Sequence, residues 1–362
     1  ATVTGAVIGG AIDGTGNLLS VKGVNSAGQI AGFQKLHFDA TGVAAGATML
    51  NLNGSAGTTL ERGAIDATGS TVNDGITLLH NANGITVNGL AADDNILKSE
   101  ADATTEKNIA VHRTGGNITD IRYEGYQFAG VTTPVIDGGE AFGGISKAGN
   151  STHDNAITVN GNYTNVYGGH TSGTSTTDVE KKNSYDNTVT ISGGTIGNVY
   201  GGYLSHAAAT GNATGNIVTI TGGTMSDVYG GWTAGTGATT GNTVNLGTET
   251  DAVAAGTTVG TIYGGNGSNV TGNTLNVNSR NAGAADVKNF ENVNFDVAHN
   301  VSHGDTMLTL TNGANTSIDW SKMKLKNLDA ITASPTSDHI LTLLDSANDI
   351  TFTNYDAARA RE

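Results

Sequence analysis

The chain has no cysteine and only two prolines in 362 residues. The first absence removes disulfides, thiolate nucleophiles and cysteine-ligated zinc together. The second excludes a Pro-rich linker or a collagen-type triplet, even though glycine, at 54 residues, stands at about twice its ordinary usage of ~7%. Positive charge is also scarce: 17 Lys and Arg stand against 32 Asp and Glu, for a formal charge of −15. Phosphate binding needs clustered cations that release counterions, and the one close basic pair, Lys181-Lys182, follows Asp178 and Glu180. Nucleic acid and anionic membranes are therefore disfavoured partners. No apolar run reaches the roughly 18 residues of a membrane-spanning helix. The opening Ala1-Thr-Val-Thr-Gly5 lacks the charged and apolar regions of a signal peptide, so an exported form is expected to have had its signal removed or left out.

What the chain does contain is copies of itself. Asp186-Asn-Thr-Val-Thr-Ile-Ser-Gly-Gly-Thr-Ile-Gly-Asn-Val-Tyr-Gly-Gly202 returns as Gly215-Asn-Ile-Val-Thr-Ile-Thr-Gly-Gly-Thr-Met-Ser-Asp-Val-Tyr-Gly-Gly231. The aromatic before the closing Gly-Gly recurs at Phe142, Tyr167, Tyr200, Tyr229 and Tyr263, at spacings of 25, 33, 29 and 34 residues. Periods in this range mean stacked supersecondary units. Inside each unit, runs such as Ile157-Thr-Val159, Thr188-Val-Thr-Ile191, Val218-Thr-Ile220 and Thr274-Leu-Asn-Val277 alternate polar and β-branched or aliphatic residues, which predicts strands. Strands of about four residues bounded by Gly-Asn and Gly-Gly cannot form a free-standing sheet. They suffice if each pairs with its copies above and below, so the expected fold is all-β, a parallel β-helix or β-solenoid. Glycine is expected at its corners, where positive φ is needed. At roughly 20 to 25 residues per coil, about 15 to 18 coils are expected, a rod on the order of 75 Å long.

A larger copy overlies the small one. Phe33-Gln-Lys-Leu-His-Phe-Asp39 and Gly46-Ala-Thr-Met-Leu-Asn-Leu52 match Phe290-Glu-Asn-Val-Asn-Phe-Asp296 and Gly304-Asp-Thr-Met-Leu-Thr-Leu310, offsets of 257 and 258 residues. Gly16-Asn-Leu-Leu-Ser-Val21 likewise echoes Gly272-Asn-Thr-Leu-Asn-Val277. The reading is one continuous stack: residues 1–130 the first module copy, 131–280 the aromatic-Gly-Gly repeats, 281–362 the start of the second copy. Neither terminus, Ala1 onward or Ala357-Ala-Arg-Ala-Arg-Glu362, carries a recognisable cap. Open strand edges recruit other strands, so either a longer solenoid or end-to-end pairing of copies is implied.

The Gly-Asn-x-Val-x-Ile-(Ser/Thr)-Gly-Gly-Thr-x-x-x-Val-Tyr-Gly-Gly phrases, with the Phe-Glu-Asn-Val-Asn-Phe and Gly-Asp-Thr-Met-Leu-Thr-Leu pair, resemble passenger regions of Gram-negative autotransporter surface proteins. The resemblance covers residues 150–320 most strongly. It implies a right-handed parallel β-helix, exported to the cell surface and used for adhesion or autoaggregation, with no catalytic motif. The family's barrel segment is not in this sequence, so anchoring is inferred.

Three groups of residues are candidates for function. Asn155, Asn187, Asn216, Asn242 and Asn273 stand at strand entrances, and stacked amides can bond up and down a sheet, so they read as a structural ladder. Three positions after each repeat aromatic stand Ile145, His170, Tyr203, Trp232 and Asn266. If Val166, Val199 and Val228 point inward, alternation sends Tyr167, Tyr200 and Tyr229 outward. The candidate binding stripe is then Tyr167, His170, Tyr200, Tyr203, Tyr229, Trp232 and Tyr263, suited to a host or bacterial surface glycan or protein, or to another copy. Self-packing of the same rings is the plainer alternative. Third, Asp93, Asp94, Glu100 and Asp102, with Lys98, Arg113 and Arg122, are the best carboxylate cluster for a polysaccharide-cleaving β-helix enzyme, but their spacing is not diagnostic. No metal site, cofactor or catalytic residue is assigned: the Gly-Gly-x-Gly-x-Asp calcium motif is missing, and His299 and His303 do not stand on a helix suited to zinc. The chain reads as a non-enzymatic extracellular adhesive solenoid, with a filament subunit as the second reading.

Overall fold

A computed structural model describes residues 1–10, 16–69, 75–92, 94–173, 182–208, 210–267, 269–328 and 340–356. Asp93, residues 178, 180 and 181, and the terminal stretch 357–362 lie outside them. Strands hold 58% of the chain and wind a parallel β-solenoid of about 10 turns. That is fewer than the 15 to 18 expected, because each coil carries loops beyond its strands and corners. Ile157 pairs with Val189, Val189 with Val218, Val218 with Val244 and Val244 with Leu275, steps of 32, 29, 26 and 31 residues.

Two compact units are distinguished, Ala1–Gln127 and Phe128–Gly173 with Val179–Glu362. In the second, the period-two runs predicted from sequence pair in register, and their inward residues form three unbroken apolar rows. One runs Ile157, Val189, Val218, Val244, Leu275, Val293. The next runs Val159, Ile191, Ile220, Leu246, Val277, Phe295. A third, from the neighbouring face, runs Ala141, Val166, Val199, Val228, Ile262, Val287. All of these residues are at most 2% exposed. Each larger side chain so buried contributes roughly 1.5 to 3 kcal/mol, against a backbone ordering cost of ~1 to 2 kcal/mol per residue, so coils hold only as neighbours.

The first unit begins in the same way. Thr2–Ile8, Asn25–Ala31, Thr48–Leu52 and Ile76–Asn81 pair in parallel, as do Leu18–Lys22, Lys35–Asp39 and Ile65–Thr68. It then departs from the parallel expectation. Asn117–Gln127 lies antiparallel on Ile76–Asn81 and is followed outward by Thr105–Thr114 and Ile96–Ala101, also antiparallel. The turn between the two long strands is Gly115-Gly116, with φ of +59° and +87°. Two successive positive φ values close a two-residue hairpin, and this hairpin reverses the chain where a parallel coil would have continued.

The large repeat is structural as well as textual. Leu18–Lys22, Lys35–Asp39 and Ile65–Thr68 stack as Thr274–Val277, Asn292–Asp296 and Met323–Lys326 do. Asn25–Ala31, Thr48–Leu52 and Ile76–Asn81 stack as Ala282–Ala284, Thr306–Leu310 and Thr342–Ser346 do. Even the 3₁₀ turn Arg62–Ala64 recurs, as Trp320–Lys322.

Candidate functional site

The five strand-entrance asparagines form a hydrogen-bonded chain inside the second unit, and none is more than 1% exposed. Asn155 Nδ2 donates to Asn187 Oδ1 at 2.7 Å, Asn187 to Asn216 at 2.9 Å, Asn216 to Asn242 at 3.0 Å and Asn242 to Asn273 at 3.1 Å. The second hydrogen of each amide goes to a backbone carbonyl: Phe128, Thr152, Ser184, Ala213 and Thr239 in turn. Each Oδ1 from Asn216 onward also accepts the backbone N–H of the previous Asn. The row is therefore structural. The left-handed residue at each entrance is the one before the Asn: Asp154, Asp186, Gly215, Gly241 and Gly272, with φ between 52° and 71°.

The Gly-Gly pairs that follow the repeat aromatics, from Gly143-Gly144 to Gly264-Gly265, face this row, and their φ is not positive; what they lack is room. The corner role expected of glycine is filled elsewhere, as at Gly194 and Gly223 with φ of +91° and +101°. A Cβ on Gly169 would lie 2.6 Å from Asn187 Nδ2, and one on Gly231 2.7 Å from Asn242 Nδ2. Glycine stands there because the amide row passes against the backbone.

On the outer side of the same strands the rings stack, as the spacing implied. Phe142 meets Tyr167 at 5.1 Å between centroids, Tyr167 meets Tyr200 at 5.2 Å, Tyr200 meets Tyr229 at 5.1 Å and Tyr229 meets Tyr263 at 4.7 Å, all within 8° of parallel. Lys288 Nζ closes the row 5.7 Å over Tyr263. A second row lies beside it: His170 edge-on to Tyr203 at 5.0 Å, then Tyr203 stacked on Trp232 at 4.5 Å. The rows touch each other, Tyr167 with His170 at 4.9 Å and Tyr200 with Tyr203 at 4.6 Å. All seven proposed site residues are thus brought together. They are less open than an outward stripe implies: Tyr167 is buried at 6% exposure, and the other six are half-buried.

Burial sets the protonation states of the stripe. It pushes the Tyr167 hydroxyl well above the usual phenol range, helped by Glu140, which accepts its hydrogen bond at 3.1 Å. Tyr200, Tyr203 and Tyr229 are raised by burial too. His170 is pushed down to about 3, by burial first and Lys147 second. Its Nε2 lies 3.1 Å from Ser205 Oγ, while Nδ1 has no partner among the described residues. The stripe is a neutral, amphipathic surface, able to stack on a sugar ring or an apolar side chain.

The carboxylate cluster does not converge. Asp94 pairs with Arg62 at 2.7 Å and accepts from Ile96 N–H. Lys98 bridges Asp66 at 2.7 Å and Glu100 at 2.9 Å, and Asp102 caps the turn at Thr104 and Thr105. Arg113 binds Asn95. Sequence reasoning missed a different polar group on the antiparallel strands. Glu106 and Asn108 are fully buried, and Glu124, 5% exposed, lies 2.8 Å from His112 Nε2 and accepts from Tyr126 at 2.6 Å. Burial raises the Glu124 carboxyl, but His112 and Tyr126 outweigh it and the net shift is downward. An ionised carboxylate locked in this way is a poor proton donor. The signal was present as period-two polar runs, Glu106-x-Asn108 and Asp120-x-Arg122-x-Glu124-x-Tyr126.

Among the described residues, Glu249, Asp296 and His299 place ligand-type atoms within 4.8 Å of one another and are those that could hold a cation. His299 Nδ1 is 2.8 Å from Asp296 Oδ2, which also accepts from Asn327 at 2.9 Å. Glu249 lies far from Asp296 and His299 in sequence, so the three gave no motif. His303, the partner considered for His299, instead accepts the Ile340 N–H at 3.2 Å.

Comparison with protein-family models, curated proteins and solved structures gives no match. The fold is shown by the coordinates alone.

Proposed function

We propose that this chain is a non-enzymatic, extracellular structural and adhesive β-solenoid, of the kind its sequence resembles in autotransporter passengers. Its ring stripe would contact a surface glycan, a surface protein or a further copy. The observation that carries this reading is the disposition of the polar groups. The amides are spent on one another, the described carboxylates of the Asp94 region are each held by a local partner, and Tyr200, Tyr203, Tyr229, Trp232 and Tyr263 remain partly open along one face. Stacked aromatic surface of this type suits weak, repeated contact with sugar rings or apolar side chains.

The test uses a Trp320→Phe background, in which Trp232 is the one remaining tryptophan. Its emission is expected to shift on titration with cell-surface glycan fractions. The same chain with Tyr203→Ser and Trp232→Ser is expected to lose adhesion while keeping its far-ultraviolet circular dichroism. Adhesion unchanged by that pair of substitutions rules out the stripe, and cleavage of any member of a polysaccharide panel rules out the non-enzymatic reading.

A further inference from the structure

Thr2–Ile8 and Leu18–Lys22 are edge strands, each paired on one side only among the described residues. The surface they leave is apolar and open: Val3 is 44% exposed, Leu18 53% and Ile8 68%. A cleft of about 260 Å³ runs into it, lined by Val3, Val7, Leu19, Val21, Ile30 and Leu50.

The second copy of the module has the same surface with its covering in place. Asn17, Leu19 and Val21 correspond to Asn273, Leu275 and Val277, Thr2-Val3 to Thr258-Val259, and Ile8-Gly9-Gly10 to Tyr263-Gly264-Gly265. The correspondence extends to single bonds. The Asn17 carbonyl accepts from Gln34 and Lys35 N–H as the Asn273 carbonyl accepts from Glu291 and Asn292. Gln34 Oε1 accepts from Asn17 N–H at 2.9 Å, and its counterpart Glu291 Oε2 accepts one position earlier, from Gly272 N–H at 2.8 Å. Phe33 crowds Gly9 as Phe290 crowds Gly264.

In the second copy, Thr243–Leu246 pairs onto Thr274–Val277, Met225 onto Val259, and Tyr229 stacks on Tyr263. Asn242 donates twice to Asn273 Oδ1, at 2.9 and 3.1 Å. Leu275 and Val277 are thereby fully buried. At the first copy none of these partners is present, and Asn17 Oδ1 receives no donor among the described residues.

We infer that the edge formed by Thr2–Ile8 and Leu18–Lys22 is the seat of one more solenoid coil of the asparagine-ladder type, supplied in tandem in the register that residues 131–257 hold ahead of the second copy. Such a coil sets aliphatic residues over Leu19 and Val21, an amide on Asn17 Oδ1 and an aromatic over Ile8. Backbone pairing gives the seat its affinity, and the Asn and apolar positions give it selectivity for that coil over an arbitrary strand.

The experiment fuses residues 131–256 ahead of Ala1 of the full chain, so that Ala1 takes the position of Thr257 before Thr2-Val3, the counterpart of Thr258-Val259, with a protease site at the join. Amide exchange in segments 2–8 and 18–22 is expected to slow by at least about tenfold relative to the unfused chain, the change expected when an edge strand becomes an interior one. After cleavage at the join, the added block is expected to co-elute with the chain. A fused block with Asn242→Leu and Val244→Asp in the added copy alone is expected to remove the protection. Three results would overturn the inference: an added block that is itself protected while segments 2–8 and 18–22 exchange as before; a block that separates after cleavage; or an unfused chain already protected there by end-to-end association with a second copy.

Discussion

Replacing Asn216 by Asp changes one NH₂ to an oxygen at the centre of the amide row and tests what the row contributes. Asn216 Nδ2 donates to Asn242 Oδ1 and to the Ser184 carbonyl, both at 3.0 Å, and its Oδ1 accepts from Asn187 N–H and Nδ2 at 3.1 and 2.9 Å. In the variant the two accepted bonds survive, while the two donated bonds become contacts between oxygens at a fully buried position. Each buried group left without its partner costs ~1 to 3 kcal/mol, and more where charge is involved, so a loss of about 3 to 6 kcal/mol is expected at pH 7. The sign with pH is equally specific. The ionised carboxylate is disfavoured in the fold, so the folded-state pKa of Asp at this position is raised above the unfolded value of ~3.9. The folded chain then binds more protons than the unfolded one, and the variant loses stability relative to wild type as pH rises between those two values, by about 1.4 kcal/mol per pH unit. Urea unfolding of both chains from pH 4 to 8, with amide exchange of Ile191 and Ile220 as the local probe, measures the difference. A variant as stable as wild type at pH 7, or a difference independent of pH, would refute the account of the row.

Two further outcomes are expected. Gly202→Ala places a Cβ 2.8 Å from Asn216 Cγ and should cost more than about 2 kcal/mol, whereas Gly193→Ala, whose nearest neighbour atom is 3.9 Å away, should stay within about 1 kcal/mol in the same denaturation assay. The Asp296 hydrogen bond raises the His299 pKa above its ordinary value. The stability that the His299 proton contributes is therefore present below about pH 6.5 for as long as Asp296, whose own pKa is lowered, stays ionised, and it is lost as pH rises through the folded-state value of His299. An NMR titration should place His299 above ~6.5 in wild type and lower in Asp296→Asn.

Much of the fold was legible because its period is written in ring spacing. The intervals from Phe142 to Tyr263 are the strand registers themselves, and Val189 over Val218 follows from two nearly identical phrases. The asparagine row was legible for the same reason: like residues at like positions stack. The coil count was overestimated because loops such as residues 247–257, between two paired strands, leave no periodic mark. The antiparallel strands were not legible as such, since Glu106-Lys-Asn-Ile-Ala-Val-His112 carries no clean alternation and its direction is decided by the Gly115-Gly116 turn. Proximity across coils was invisible too, as between Glu249 and His299. Ring openness fell between the two readings of the stripe: alternation gives the side of the sheet, while stacking of Tyr203 on Trp232 sets how much of each face solvent reaches.

The amide row has a sense. Every link runs from the Nδ2 of one Asn to the Oδ1 of the next, from Asn155 toward Asn273, with the Asn155 Oδ1 taken by Val131 N–H. It is a head-to-tail line of dipoles, and an inverted member would break the link on either side. Gain or loss of a whole coil leaves every remaining link intact, because each incoming amide meets the same acceptor as the one it displaces. Unequal recombination between the near-identical phrases at residues 186–202 and 215–231 would therefore yield longer or shorter chains that keep the same internal chemistry.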